Sequence, residues 1–296
     1  MEGTAPAVAQ PCSPESIIQD LERGEVLFFP TAPFQLPGAE DLQFLRTQQL
    51  VGLSHKAISF DPGNGQVSGH GGPHEQRLVA LLATFGQMVT RWLAEAFPSY
   101  ATQARPDRVS FRPDEEATRR LRLTARNDLL HIDAFPNRPS WGDRILRVFA
   151  NVNPVDPRVW VTAASFAALL AKYGEVAGLP GRRAGGWFDH LGWGMLRALH
   201  SAGRARCAYD AFMLRFHDYL KRCDEFQERA RKRLWHFPPG SAWMAFTDAC
   251  SHGELRGRFA LEHSFFIRSE GLLLPQEAPA ALLERFCRDH GSRRAA

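Results

Sequence analysis

The stretch that most constrains the fold spans residues 143–154 and reads Asp-Arg-Ile-Leu-Arg-Val-Phe-Ala-Asn-Val-Asn-Pro. Side chains alternate between the two faces of a β-strand, so Arg147 and Phe149 share one face while Val148 and Ala150 share the other. An arginine inside an otherwise apolar strand requires an anionic partner, because an unpaired buried charge is costly. The stretch therefore predicts a core strand that brings a cation into the interior.

Other short apolar or alternating runs predict strands on both sides of this stretch. They lie at 25–30, 57–60, 108–112, 157–161, 235–246 and 259–267. Helical periodicity predicts helices at 14–23, 40–49, 74–97, 209–232 and 278–288. We interpret 164–233 as a helical insertion between two halves of a β-core, because no linker flanks it. The fold class is therefore α+β, with one domain at 14–296 after a disordered segment at 1–13.

Immediately before the core strand, His131 and Asp133 are two residues apart, so in extended backbone both side chains point to the same side. By itself this pair also fits a polar loop with a hydrogen-bonded histidine. A second histidine would complete the two-histidine, one-carboxylate set of non-haem Fe(II) oxygenases. We favour His252, placed in a turn between two strands; His263 fits a core histidine, and His236 is a weaker third choice.

Several longer strings resemble the bacterial 3-deoxy-D-manno-oct-2-ulosonic acid (Kdo) 3-hydroxylase family, within the 2-oxoglutarate/Fe(II)-dependent dioxygenases. The matching strings are His-Ile-Asp-Ala-Phe-Pro-Asn-Arg-Pro at 131–139, residues 144–154, Pro-Arg-Val-Trp at 157–160, Pro-Gly-Ser-Ala-Trp at 239–243, Ser-His at 251–252 and Phe-Ala-Leu-Glu at 259–262. The resemblance implies a double-stranded β-helix, or jelly-roll, core with packed helices. It also implies Fe(II) on His131, Asp133 and His252, with 2-oxoglutarate and O₂ as co-substrates.

The co-substrate carboxylate requires a fixed cation, for which arginine is the best two-pronged partner. In much of the superfamily this cation follows the distal histidine, but here Glu262 stands near that position and Arg258 comes too early. Arg147 lies where another branch of the superfamily carries a lysine. We therefore assign Arg147 to 2-oxoglutarate, with an internal salt bridge as the alternative.

The resemblance implies that the substrate is the Kdo sugar of Kdo-lipid A, hydroxylated at C3 to give succinate and CO₂ as by-products. Arg112, Arg158 and Trp160 are the candidates for the sugar: two guanidinium groups for its acid and hydroxyl groups, and an indole to stack on its ring. Structural packing is an equal alternative for Trp160. Two other functions stay open, namely a hydroxylase of a protein side chain or another small acid, and a non-enzymatic sugar- or lipid-binding jelly roll.

Charge and cysteine content limit the partners and the compartment. A net charge of +4 is too small to indicate nucleic acid binding. Arginine-rich clusters at 105–126 and 228–233 suit either a solvated face or peripheral contact with an anionic inner-membrane surface. The 5 cysteines are scattered and form no Cys-x-x-Cys pair. This argues against a disulfide framework, and with the absence of a signal segment it favours a cytoplasmic protein.

Overall fold

The computed structural model describes residues 13–52, 55–115, 121–178 and 207–293. Its strands are β1 (Leu27–Phe29), β2 (Ile58–Asp61), β3 (Gln66–Ser68), β4 (Ala104–Arg112), β5 (Arg144–Asn151), β6 (Arg158–Ser165), β7 (Arg233–Phe237), β8 (Ala242–Phe246), β9 (Cys250–Arg256) and β10 (Ala260–Ile267). They pair antiparallel into a seven-stranded major sheet, ordered β1-β8-β5-β10-β4-β2-β3, and a three-stranded minor sheet, ordered β7-β6-β9.

The helices pack around these sheets. They are α1 (Pro14–Glu22), α2 (Ala39–Thr47), α3 (Glu75–Ala96), α4 (Pro98–Gln103), α5 (Phe166–Tyr173), α6 (Ala208–Arg222), α7 (Asp224–Arg229) and α8 (Pro279–Arg293). Ser13 caps α1: its hydroxyl accepts the Ser16 amide at 3.2 Å, and Pro14 lies in the first turn. Among the described residues, no helix is both long enough and apolar enough to cross a membrane.

The major sheet is buried on both faces, and the two faces differ. One face packs under α3, where Gly86 lies so close to the sheet that an added Cβ would come within 2.7 Å of Val109. The other face meets the minor sheet through stacked aromatic rings, including Phe237 and Trp243 with ring centroids 4.0 Å apart. Phe149 lies in this second layer, beside Trp160 at 4.7 Å. The alternation seen in the sequence therefore separates a helix-facing side from an interior between the sheets.

The structure corrects three local predictions. Residues 66–68, where the sequence predicts no strand, form β3, which pairs with β2 in a hairpin. The strand-like stretch predicted at 235–246 divides into two strands, β7 and β8, separated by a turn in which Gly240 has φ +77°. The helix predicted at 209–232 breaks at Cys223, where the Leu220 carbonyl accepts the Cys223 amide at 3.3 Å and the Gln227 side-chain amide at 2.8 Å.

The region predicted as an insertion carries α5, α6 and α7 between β6 and β7. Asp210 on α6 accepts the Ser140 amide at 2.8 Å, so this helix holds the loop that follows Asp133. The predicted disordered segment lies, apart from Ser13, outside the described residues, as does 179–206 within the insertion. The division into one domain with an insertion stays a prediction.

Candidate metal centre

Three buried side chains converge between the two sheets: His131, Asp133 and His252. Their candidate ligand atoms all lie within 4.8 Å of one another. His131 precedes β5, whereas His252 belongs to β9 and not to the predicted turn. Backbone hydrogen bonds in both directions join the two histidines, at 3.0 Å and 2.8 Å. The metal centre thus spans a short antiparallel bridge between distant parts of the chain.

Each histidine is oriented by its own backbone neighbourhood. Nδ1–H of His131 donates to the Leu129 carbonyl at 2.7 Å, and Nδ1–H of His252 donates to the Cys250 carbonyl at 2.9 Å. Because a carbonyl only accepts, Nε2 of each ring keeps its lone pair. The Asp133 Oδ1 atom lies 3.7 Å and 3.9 Å from these two Nε2 atoms. Two imidazole nitrogens and a carboxylate oxygen are therefore aimed at one point, as a divalent transition metal requires.

Burial and neighbouring charges set the protonation of these groups. Burial lowers the pKa of His131 well below its ordinary value, and the charge of Lys221 lowers it further. Burial likewise lowers the pKa of His252. Burial is the largest single influence on the pKa of Asp133 and raises it, but the charges of Arg147 and His252 and side-chain hydrogen bonds from Thr247 and Arg147 together outweigh burial and hold this pKa below its usual range. Neutral imidazoles beside an ionised carboxylate are the forms that bind a metal.

Other residues support the three candidate ligands, and sequence reasoning did not find His217 among them. Nδ1–H of His217 on α6 donates to the Ile132 carbonyl at 2.7 Å, and its ring lies edge-on 4.9 Å from that of His131. The Asp133 amide donates to the Thr247 carbonyl at 2.7 Å. The one sequence signal for His217 is its position four residues after Met213, a buried residue on the same face of α6. Many surface histidines share such a spacing, so it does not single out His217.

The two alternative histidines lie elsewhere. His263 on β10 points to the helix-facing side. Its ring lies beside Phe265 and 3.6 Å from where a Cβ added to Gly86 would lie. In the strand register it lies opposite Val148, whose side chain the alternation already placed away from Arg147. His236 is exposed on β7. Among the candidates raised from the sequence, the structure thus joins His252 to the His-x-Asp pair.

The position of His263 gives a pH-dependent prediction. Burial lowers its pKa to about 3, whereas the unfolded chain titrates near 6.5. Below pH 6.5 the unfolded state therefore binds a proton that the folded state does not, and the free energy of unfolding falls as pH falls towards 3. Between pH 7 and about pH 5, we expect the free energy of unfolding of His263→Leu to fall by ~2 kcal/mol less than that of the wild type. Urea unfolding at both pH values measures this; equal losses in the two proteins would contradict it.

Next to the metal centre, charged side chains of alternating sign form a buried chain that we call the ion ladder. Its members, in spatial order, are Asp133, Arg147, Glu262, Arg112, Glu254 and Arg158. Successive nitrogen–oxygen distances are 2.7, 2.6, 2.9, 3.6 and 2.7 Å. Each member is less than a tenth exposed. Arginine and carboxylate charges balance along the ladder, which makes burial of each tolerable.

The ladder contains four residues that the sequence predicted, Asp133, Arg147, Arg112 and Arg158, and two to which it gave no role. Arg147 bridges Asp133 and Glu262, which is the internal salt bridge that the sequence left open, and its assignment to 2-oxoglutarate stays a prediction. Glu254 and Glu262 were not assigned a role from the sequence. For Glu262 a signal existed, because an acid within an apolar strand needs a buried cation just as Arg147 needs an anion.

Trp160 lies behind the metal centre. Its indole is fully buried and stacks on the His252 ring at 5.1 Å with an interplanar angle of 17°. This is the packing position that the sequence kept as an alternative. The indole Nε1 of Trp160, and Nε of both Arg147 and Arg158, are buried donors without an acceptor among the described residues. Unsatisfied donors grouped in this way suit a small ligand rich in acceptor oxygens.

Comparison with known proteins agrees with this geometry. The family model for 3-deoxy-D-manno-oct-2-ulosonic acid (Kdo) hydroxylase matches residues 6–290. This chain belongs to the Kdo hydroxylase family. No curated protein matches it.

Solved structures of the Kdo hydroxylase KdoO, a non-heme Fe(II) alphaketoglutarate-dependent dioxygenase, are similar to this Kdo hydroxylase family member. The apo form has a TM-score of 0.78 and 33% sequence identity, covering 93% of this chain and 90% of that chain. The complex with alphaketoglutarate and Fe(III) has a TM-score of 0.78 and 32% identity, with the same coverage. The cobalt(II) complex has a TM-score of 0.79 and 33% identity, covering 93% of this chain and 90% of that chain.

The predicted family, the α+β jelly-roll fold class and the enzyme class, a 2-oxoglutarate-dependent dioxygenase, are therefore confirmed. The cofactors predicted from the sequence, iron and 2-oxoglutarate (alphaketoglutarate), are those named for KdoO. The roles of individual residues in this chain remain predictions.

Proposed function

We propose that this chain hydroxylates C3 of a Kdo sugar in the lipopolysaccharide inner core, with Kdo-lipid A as substrate. The observation that carries the proposal is the buried cluster of His131, Asp133 and His252 in a chain of the Kdo hydroxylase family. The proposed reaction consumes 2-oxoglutarate and O₂ and yields succinate, CO₂ and the 3-hydroxy sugar.

Within this proposal, His131, Asp133 and His252 hold Fe(II) and leave its remaining positions free for other ligands. Bound iron supplies the oxidising chemistry that splits 2-oxoglutarate and inserts one oxygen atom into the C3–H bond. The protein supplies position and exclusion of water. Asp133 keeps its second oxygen, Oδ2, on Arg147 at 2.7 Å, which orients the carboxylate, and Trp160 closes the space behind His252.

The buried hydrogen-bond donors that have no acceptor among the described residues suggest how the co-substrate is held. Arg112, Arg158 and Trp160, assigned to the sugar from the sequence, are at most 6% exposed. Such burial suits a small enclosed ligand better than a lipid-linked sugar. We therefore propose that these three residues lie with Arg147 at the 2-oxoglutarate end of the interior, where Nε of Arg147 and Nε1 of Trp160 await acceptors.

Substitution of Arg147 tests this arrangement. We expect Arg147→Gln to raise the Kd for 2-oxoglutarate by roughly 10- to 100-fold, the cost of losing a hydrogen bond between charged partners. Calorimetric titration of 2-oxoglutarate into Mn(II)-loaded protein measures the change. Arg91→Gln, on the exposed surface of α3, serves as the matched control. An unchanged Kd in Arg147→Gln would leave its salt bridges as its only role.

The function itself is tested by succinate formation with Fe(II), 2-oxoglutarate and Kdo-lipid A, followed by mass spectrometry of the lipid. One oxygen atom added to the Kdo residue, in proportion to succinate, is the expected result. Nuclear magnetic resonance of the product locates the new hydroxyl. Succinate formed only with a protein or a free acid would favour the other hydroxylase functions, and no turnover with any substrate would favour a binding protein.

A lipid-linked substrate also suggests where the protein works. We propose a cytoplasmic enzyme that contacts the anionic inner-membrane surface through the 228–233 cluster. Arg231, Lys232 and Arg233 are exposed there, and Leu234 follows with 59% of its surface accessible on β7, an edge strand of the minor sheet. Basic side chains beside an exposed apolar one suit an anionic lipid surface. Part of the other cluster, at 116–120, lies outside the described residues.

A further inference from the structure

A bulge in β4 lies beside an arginine that faces the candidate active site. Along β10, His263 lies opposite Val109, but Phe265 lies opposite Pro106, so two β4 residues, Asp107 and Arg108, stand against the single residue between them. That residue, Ser264, lies opposite Arg147 on the next strand. With strands about 4.8 Å apart, the Arg108 backbone is therefore ~10 Å from that of Arg147, in the same row across the sheet. Bulges are over-represented next to active sites.

Strand alternation settles the face on which Arg108 lies. Arg108 shares its face of β4 with Ser110 and Arg112, and Arg112 enters the interior to contact Glu262 at 2.9 Å. Unlike the arginines of the ion ladder, Arg108 has no hydrogen bond or ion pair within the described part of the chain, and its Nε is buried without an acceptor. Asp61, on the neighbouring strand β2, instead accepts the Gly63 amide at 2.9 Å. A partly buried guanidinium so placed is suited to bind an anion that the described residues do not supply.

The surroundings of Arg108 form a rim of cations and aromatic rings. Arg138 pairs with Asp107 and lies 4.1 Å over Phe135, while Arg105 lies 4.3 Å over Phe266. The two phenylalanine rings meet edge-on at 6.2 Å. Phe135 is two residues after Asp133, and the charges of Arg147 and Glu262 act on Arg138, so this rim borders both the metal centre and the ion ladder.

We propose that Arg108 binds an acidic oxygen group of the substrate, a carboxylate or a phosphate, and so positions the sugar over the metal centre. The inference rests on the proposed function and deepens it. The ion ladder receives the small co-substrate, and the rim receives the larger acidic sugar. A guanidinium supplies the paired donors that fit either oxygen group.

Steady-state kinetics of Arg108→Gln test the proposal with two substrates: Kdo-lipid A, and the same lipid after removal of its lipid A phosphates. We expect the KM for intact Kdo-lipid A to rise roughly 10- to 100-fold, while the KM for 2-oxoglutarate stays unchanged. If Arg108 binds the sugar carboxylate, the rise is the same with both lipids; if it binds a phosphate, the rise disappears with the dephosphorylated lipid. Arg91→Gln is the control, with wild-type KM values.

Arg108→Lys provides a second variant, because it keeps the charge and loses the paired donors, so its KM for the lipid should fall between those of wild type and Arg108→Gln. Equal KM values for the lipid in wild type and Arg108→Gln would overturn the role of Arg108 alone. No turnover by the wild type with either lipid would overturn the proposed function, and this inference with it.

Discussion

Replacing His252 with alanine is expected to abolish lipid-dependent conversion of 2-oxoglutarate to succinate. The variant loses one of three candidate metal ligands, and the remaining pair of His131 and Asp133 cannot hold iron in a fixed geometry. Metal affinity should fall by more than the roughly 100-fold typical of losing a group that only supports a ligand. Iron content after reconstitution and succinate formation are the two measurements, and the His131 and Asp133 variants should behave alike.

The matched control is His263→Leu, which alters an equally buried histidine on the other face of the major sheet. It should retain iron and turnover. If His263→Leu loses its iron and His252→Ala keeps it, then His263 and not His252 is the third metal ligand. Thermal melting of each variant separates loss of metal from loss of fold.

Removal of the Glu262 carboxylate should cause the largest loss of stability among substitutions in the ion ladder. Glu262 accepts hydrogen bonds from Arg147 at 2.6 Å and from Arg112 at 2.9 Å, and the charges of these arginines, working against burial, hold its pKa at about 2. In Glu262→Gln, two buried guanidinium groups lose an anionic partner. We expect the free energy of unfolding to fall by ~3–5 kcal/mol, as when one partner of a buried ion pair is removed. Urea unfolding at pH 7 measures it.

A second substitution shows whether the charge itself is responsible. In Glu262→Gln combined with Arg112→Met, Arg147 still contacts Asp133, and the ladder again carries no net charge on this segment. The double variant should be less destabilised than the sum of its two single variants. Additive losses would mean that Glu262 acts through packing and not through its charge.

The sequence correctly predicted the orientation of side chains that depends only on neighbours within the same segment. Strand alternation placed Arg147 and Phe149 in the interior, and the structure puts them there, with Arg147 on Asp133 and Phe149 against Trp160. The spacing of His131 and Asp133 predicted one shared side, and both point to one centre.

What the sequence could not supply depends on pairing between distant segments. His252 was placed in a turn, because Gly253 and the polar residues around it hide a strand that exists only through pairing with β6. The bulge beside Arg108 depends on the register of β10 and leaves no trace in the sequence of β4. The sequence also did not identify the partners of Arg112 and Arg158, because a buried arginine predicts an anionic partner but not which residue supplies it.

The backbone bridge between His131 and His252 has a consequence for how the enzyme acquires its metal. Reciprocal amide–carbonyl bonds hold the backbones of the two histidines side by side, and these bonds need no ion to form. The conformational entropy of assembling the site is thus lost when the chain folds, and metal uptake need not drive a disorder-to-order transition, as it does in small zinc domains. Loading should then raise the melting temperature only by mass action, with a metal-free protein that already shows native near-ultraviolet dichroism.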